Sequence, residues 1–171
     1  MRSSPARLFL SFLLFFPVVA FGQTYTATLL GSNETTNCDP DGTGSATVVF
    51  NGNQVTYTIN VANVVLPPTM QHIHIGAAGT NGGIVIDFNN GAWVGGTLNG
   101  TVTGDPTVIA AIHANPAGYY VNVHNTPCPG GVVRGQLVFA SAATSIPTFS
   151  TGILLLLAGV LAVAGLLVLR R

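Results

Sequence analysis

Two histidines stand one residue apart in the stretch MQHIHIGAAG, with His72 and His74 between Ile73 and Ile75. A third, His124, ends the stretch YYVNVH. In a strand, residues i and i+2 point to the same side, so His72 and His74 share a face and the isoleucines take the other. By the same rule Tyr120, Asn122 and His124 lie opposite Val121 and Val123. If the two strands are neighbours, three imidazoles converge. Three histidine nitrogens suit a zinc ion with an open fourth position, or a copper ion. A structural reading competes with this one. In it His72 and His74 are hydrogen-bonded residues that fix the turn after their strand, and His124 bonds back to the backbone. The spacing leaves both open. On the metal reading Arg134 attracts an anion to the ion. On the structural reading it pairs with Glu34 or Asp87. His113 follows VIAAI in an expected helix and reads as a surface residue.

Other chemistry finds little support. The serines lie mainly at the two ends and in turns, with no nucleophile-elbow pattern. No Gly-rich loop precedes a helix carrying lysine, and AAGTNGG reads as a turn rather than a phosphate cradle. The acids Glu34, Asp39, Asp41, Asp87 and Asp105 are scattered, with no two placed across a cleft for glycoside hydrolysis. No catalytic residue is assigned, and the chain reads as leaning away from an enzyme. Between the ends Arg134 is the one basic residue, and the chain has no lysine. A domain so poor in cations does not neutralise a phosphate backbone, so nucleic acid is excluded as a partner. Trp93, Tyr119 and Tyr120 form an aromatic patch or fill a sandwich core and its edge.

The elements that must position these residues alternate with period two. Tyr25, Ala27 and Leu29 take one face of TYTATLL, with threonines on the other. Ala46, Val48 and Phe50 alternate, Asn-Gly turns the chain, and Val55, Tyr57, Ile59 and Val61 alternate after it. Asn-Gly between alternating runs is a strong hairpin signal. In DPTVIAAIHANP, Asp105 caps a short helix from Pro106, with Val108, Ile109 and Ile112 on one side and Asn115-Pro116 ending it. About seven short strands joined by Gly/Asn turns, with at most one helical turn, predict an all-β fold. The expected form is an antiparallel β-sandwich or flattened Greek-key barrel.

The two ends place the domain. Residues 1–22 carry Arg2 and Arg7, an apolar run from Leu8 to Phe16, and then small Ala20 and Gly22, the pattern of a secretory signal. The domain is expected over 23–140. Residues 141–148 read as a linker, and 149–171 as one transmembrane helix closed by Arg170 and Arg171. The terminal arginines stay cytoplasmic by the positive-inside rule, which leaves the domain outside. Cys38 and Cys128 are the only cysteines, and in an oxidising compartment two cysteines usually pair.

The order SNETT, GSATVVFNGNQVTYTINV, QHIHIGAAGTNGGIVIDF and YYVNVHNTPCPGGVVRGQL resembles the CHRD domain, a module named from chordin and found alone in bacterial exported proteins. The resemblance covers about Thr24 to Phe139. It departs from the family where Glu34-Thr35-Thr36 replaces Glu-Val-Pro, and where Val132 replaces an acid two residues before the arginine. It implies an all-β extracellular module and no particular reaction. IPTF before the apolar tail resembles the IPTL-type C-terminal sorting signals, with Phe149 in place of Leu. That resemblance implies recognition by a membrane sorting protease. The spacing HIH…VNVH is similar to the copper ligands of Cu/Zn superoxide dismutase, which is also an antiparallel β-sandwich. The bridging histidine and zinc cluster of that enzyme have no counterpart, so the resemblance implies at most one copper or zinc ion, on His72, His74 and His124. The resulting expectation is an exported envelope or surface module, non-enzymatic, that binds an extracellular protein, polymer or metal ion. The alternative is a mononuclear site with dismutase-like activity.

Overall fold

The computed structural model describes residues 22–88 and 91–140. The expected signal peptide, apart from Gly22, and the expected linker, sorting motif and transmembrane helix lie outside the described residues. Among the described residues no helix is long and apolar enough to cross a membrane.

The described residues fold as nine antiparallel strands: β1 (Gln23–Leu30), β2 (Thr43–Asn51), β3 (Gln54–Ala62), β4 (Met70–Ile75), β5 (Ile84–Asp87), β6 (Thr97–Thr103), β7 (Tyr119–His124), β8 (Val133–Gln136) and β9 (Val138–Phe139). One helix, α1 (Pro106–Ala114), precedes β7. The strand order is β5-β4-β7-β8-β1-β2-β3-β6, with β9 beside β1, and the sheet curls into a nearly closed barrel. The β3–β4 and β6–β7 connections pass from one half of this order to the other.

The alternation does what it predicts. Tyr25, Ala27, Leu29, Ala46, Val48, Phe50, Val55, Tyr57 and Ile59 are all buried in one core. Each large aliphatic or aromatic side chain there contributes roughly 1.5–3 kcal/mol over an exposed position. The β2–β3 hairpin pairs Asn51 with Gln54 across Gly52-Asn53, and Gly52 supplies the φ of +59° that the turn requires. Tyr57 and Phe88 draw the two halves together. Their rings stack 4.3 Å apart, and the Tyr57 hydroxyl donates to the Phe88 carbonyl at 2.7 Å.

Asp105 caps α1 by accepting from the Thr107 amide at 2.7 Å, and Ile109 and Ile112 seal the core beneath it. The helix begins at Pro106 and stops before Asn115-Pro116, the bounds expected from the sequence; at nine residues it exceeds the single turn counted for the fold. The last strand run is split instead of continuous. The amide of Leu137 donates to Tyr119, while Val138 and Phe139 leave β7 and pair with Thr26 and Tyr25. His113 is half-buried rather than a plain surface residue. Its Nδ1 lies 2.7 Å from the Tyr25 hydroxyl, and its ring packs edge-on against Phe50.

Candidate metal centre

β4 and β7 are neighbours. Met70 faces His124, His72 faces Asn122, and His74 faces Tyr120. Ile73, Val121 and Val123 point into the core. The other face therefore carries all three histidines together. Alternation alone would leave that face wet, yet His72, His74 and His124 are 3%, 8% and 7% exposed. Two loops, 76–83 and 125–132, cover it. Each contributes a backbone carbonyl to the cluster: His74 Nδ1 lies 2.9 Å from Gly82 O, and His124 Nδ1 lies 3.0 Å from Pro129 O.

Those two bonds fix the tautomers. A carbonyl only accepts, so each Nδ1 carries the proton and each Nε2 presents a lone pair. His72 is turned the other way, with Nε2 3.9 Å from Asp87 Oδ1 across the β4–β5 pair. The carboxylate favours the proton on that nitrogen and leaves Nδ1 free to accept. His72 Nδ1, His74 Nε2 and His124 Nε2 are buried and make no hydrogen bond within the protein. The three histidines can each offer one ligand atom such that all three lie within 4.8 Å of one another. A shared ion at about 2.0–2.1 Å from each nitrogen would draw them to about 3.3–3.6 Å. The Nδ1 atoms of His74 and His124 do the structural work, and the opposite nitrogens remain available.

Burial favours the neutral rings of His72 and His124, and the neutral ring is the form that binds a metal. It is the main cause that pushes the pKa of His72 down to about 4; nearby His124 and His74 add to the effect and Asp87 opposes it. The pKa of His124 is also lowered, first by burial and then by His74, against the bond to Pro129.

Arg134 is buried on β8, one strand further along the same face, paired with Asn122. Its guanidinium carbon lies 3.6 Å above the Tyr120 ring. It donates to Asn81 Oδ1 at 3.1 Å and Thr80 O at 2.8 Å, and so pins the 76–83 loop. Glu34 feels this charge, but burial dominates and raises its pKa to about 7. Cys38 and Cys128 form a disulfide that spans 90 residues of chain and ties the 125–132 loop to the loop after β1. Trp93 is half-buried and donates to Gln71 Oε1 at 3.0 Å, and Tyr119 and Tyr120 are buried, so the three aromatics form no exposed patch.

Sequence reasoning placed Asn122 beside the histidines without giving it a role. The structure shows its Oδ1 buried and without a hydrogen bond. The Gly82 and Pro129 carbonyls also went unnoticed, since a backbone acceptor leaves no mark in residue type.

An antiparallel barrel with a loop-covered polar cluster on its outer face defines an all-β module. The family model for the CHRD domain matches residues 25–137, and the chain belongs to that family. CHRD domains are typically extracellular, in keeping with an exported protein. Comparison with curated proteins and with solved structures gave no match.

Proposed function

We propose that this CHRD domain is an extracellular metal-binding module that holds one copper or zinc ion on His72, His74 and His124. One observation carries the reading: His72, His74 and His124 each keep one buried ring nitrogen without a hydrogen bond, and the three residues can offer ring nitrogens that all lie within 4.8 Å of one another. Apolar or hydrogen-bonded side chains would fill that position at lower cost if nothing bound there. The role is binding rather than turnover. The donors are enclosed, and Arg134, the charge that would guide an anion inward, is engaged by Thr80, Asn81 and Tyr120. Delivery by the 1–22 signal, anchoring through 149–171, trimming by a sorting protease, and contact with an extracellular protein or polymer complete the proposal. These rest on the sequence.

The test is metal content. The exported protein is purified without chelator or affinity metal, and bound copper and zinc are measured by mass spectrometry beside the His72→Ala/His74→Ala variant. About one ion per chain, lost in the variant, is the expected result. A protein that takes up neither ion even when offered excess, with its fold and disulfide intact, overturns it.

A further inference from the structure

The face that holds the histidines carries a fourth acceptor of the same kind. Asn122 is 3% exposed, and its Oδ1 is buried without a hydrogen bond. Its place in the register is central. It pairs with His72 on β4 and with Arg134 on β8, and it lies two residues before His124 on the same side of β7. His72 Nδ1, His74 Nε2, His124 Nε2 and Asn122 Oδ1 are thus four buried lone-pair atoms on two adjacent strands. Acceptors do not satisfy one another. The tautomers of His74 and His124 are locked by the Gly82 and Pro129 carbonyls, so neither ring can turn a proton inward. A single water carries two protons and serves two of the four atoms. A cation bound among them would serve all four.

We propose that Asn122 is the fourth ligand, with its amide oxygen completing a set of three nitrogens and one oxygen. This rests on the metal reading above and deepens it by naming the ion's charge state. An amide oxygen is a hard donor that suits a divalent ion, whereas cuprous copper prefers sulfur. The one sulfur on this side of β4 belongs to Met70, opposite His124, and its residue is 41% exposed. The site therefore selects divalent copper or zinc over cuprous copper.

Electron paramagnetic resonance of the full-length exported protein loaded with divalent copper tests this without any variant. The expected spectrum shows three coupled nitrogens and no line broadening in oxygen-17-enriched water. Broadening would put a water in the fourth position and overturn the proposal. Competition titrations give the second arm. Asn122→Val is expected to weaken divalent copper binding about 10–100-fold and to leave cuprous copper binding unchanged. Asn122→Asp keeps an oxygen there and is expected to hold the divalent ion at least as tightly as the native chain. Unchanged divalent affinity and spectrum in Asn122→Val overturn the proposal. So does loss of the ion in Asn122→Asp, which would mean that the amide nitrogen is what matters. So does loss in Met70→Leu with Asn122→Val unaffected. A native protein that binds neither form of copper nor zinc overturns this proposal together with the metal reading; binding that ignores Asn122 overturns this proposal alone.

Discussion

The ring of Tyr120 lies flat on the ring of His74, with centroids 5.0 Å apart and planes within 9°. The pair faces across β4 and β7, and Arg134 covers the other side of the tyrosine at 3.6 Å. His74, Tyr120 and Arg134 thus form a three-layer stack that holds the His74 ring at a fixed tilt. The tyrosine hydroxyl also accepts from the Gly82 amide at 3.3 Å, in the residue whose carbonyl faces His74 Nδ1.

Replacing this tyrosine separates the stack from the hydroxyl. Tyr120→Phe keeps the ring and loses one weak hydrogen bond, so a stability loss within about 1 kcal/mol is expected. Tyr120→Leu removes the surface on which both His74 and Arg134 lie. It is expected to cost about 2–4 kcal/mol in denaturant unfolding and to weaken metal binding by roughly tenfold through the freed imidazole. Equal losses in the two variants would show that the stack carries no weight.

The disulfide acts on the same face from the other side. Cys128 precedes Pro129, whose carbonyl faces His124 Nδ1. Cys38→Ser/Cys128→Ser is expected to lose about 2–4 kcal/mol of stability, by freeing a long loop in the unfolded chain. It should also weaken metal binding beyond that, since the carbonyl that orients His124 is no longer tethered. Titrating metal under conditions where the variant is fully folded separates the two effects. Native affinity there would show that the loop holds without the bridge.

Much of this was legible in the residues, and the division has a physical basis. Period-two alternation fixes which side chains share a face, so the buried set from Tyr25 to Ile59 and the common side of His72 and His74 follow directly. The Asn-Gly turn and the Asp105 cap carry local chemistry, and both appear where expected. Strand order is different. β4 and β7 are separated by two strands and a helix, and no local pattern says that they meet. Burial of the outer face was hidden for a related reason. It is produced by the 76–83 and 125–132 loops folding back, and their carbonyls belong to glycine and proline residues with no chemical signature. Arg134 was expected to pair with an acid or attract an anion; its hydrogen bonds run to an amide and a carbonyl on the first of those loops.

Glu34 supplies a pH dependence. Burial raises its pKa from 4.5 to about 7, against the pull of Arg134. The folded chain therefore holds this proton more tightly than the unfolded chain does. The resulting stabilisation is complete below about pH 4.5 and is lost as pH rises through 7. Gly131 leaves the carboxyl its room, since a Cβ there would lie 2.5 Å from Glu34 Oε1. Glu34→Gln mimics the neutral acid at every pH. Its stability relative to the native protein is expected to rise between pH 5 and pH 8, as read by urea unfolding. A constant difference across that range would place the carboxyl in an ordinary environment.

His72 gives the opposite slope in the metal-free protein. Its folded pKa is about 4 against an ordinary 6.5, chiefly because burial disfavours the charged ring. Here the unfolded chain binds the proton more tightly. The stability tied to the neutral ring is present above about pH 6.5 and is lost as pH falls towards 4. His72→Gln cannot titrate, so the native protein should lose stability relative to this variant as pH falls from 7 to 4.5. Bound metal sharpens the contrast, because protons and the ion compete for the same nitrogens. With copper or zinc added, the native protein should gain stability at pH 7 and progressively less as the solution is acidified, while His72→Gln gains little at either pH. Thermal unfolding of both proteins, with and without the ion and at both pH values, reads all of these terms. A native protein whose metal-induced gain is the same at pH 4.5 as at pH 7 would show that the ion is held by groups other than these imidazoles.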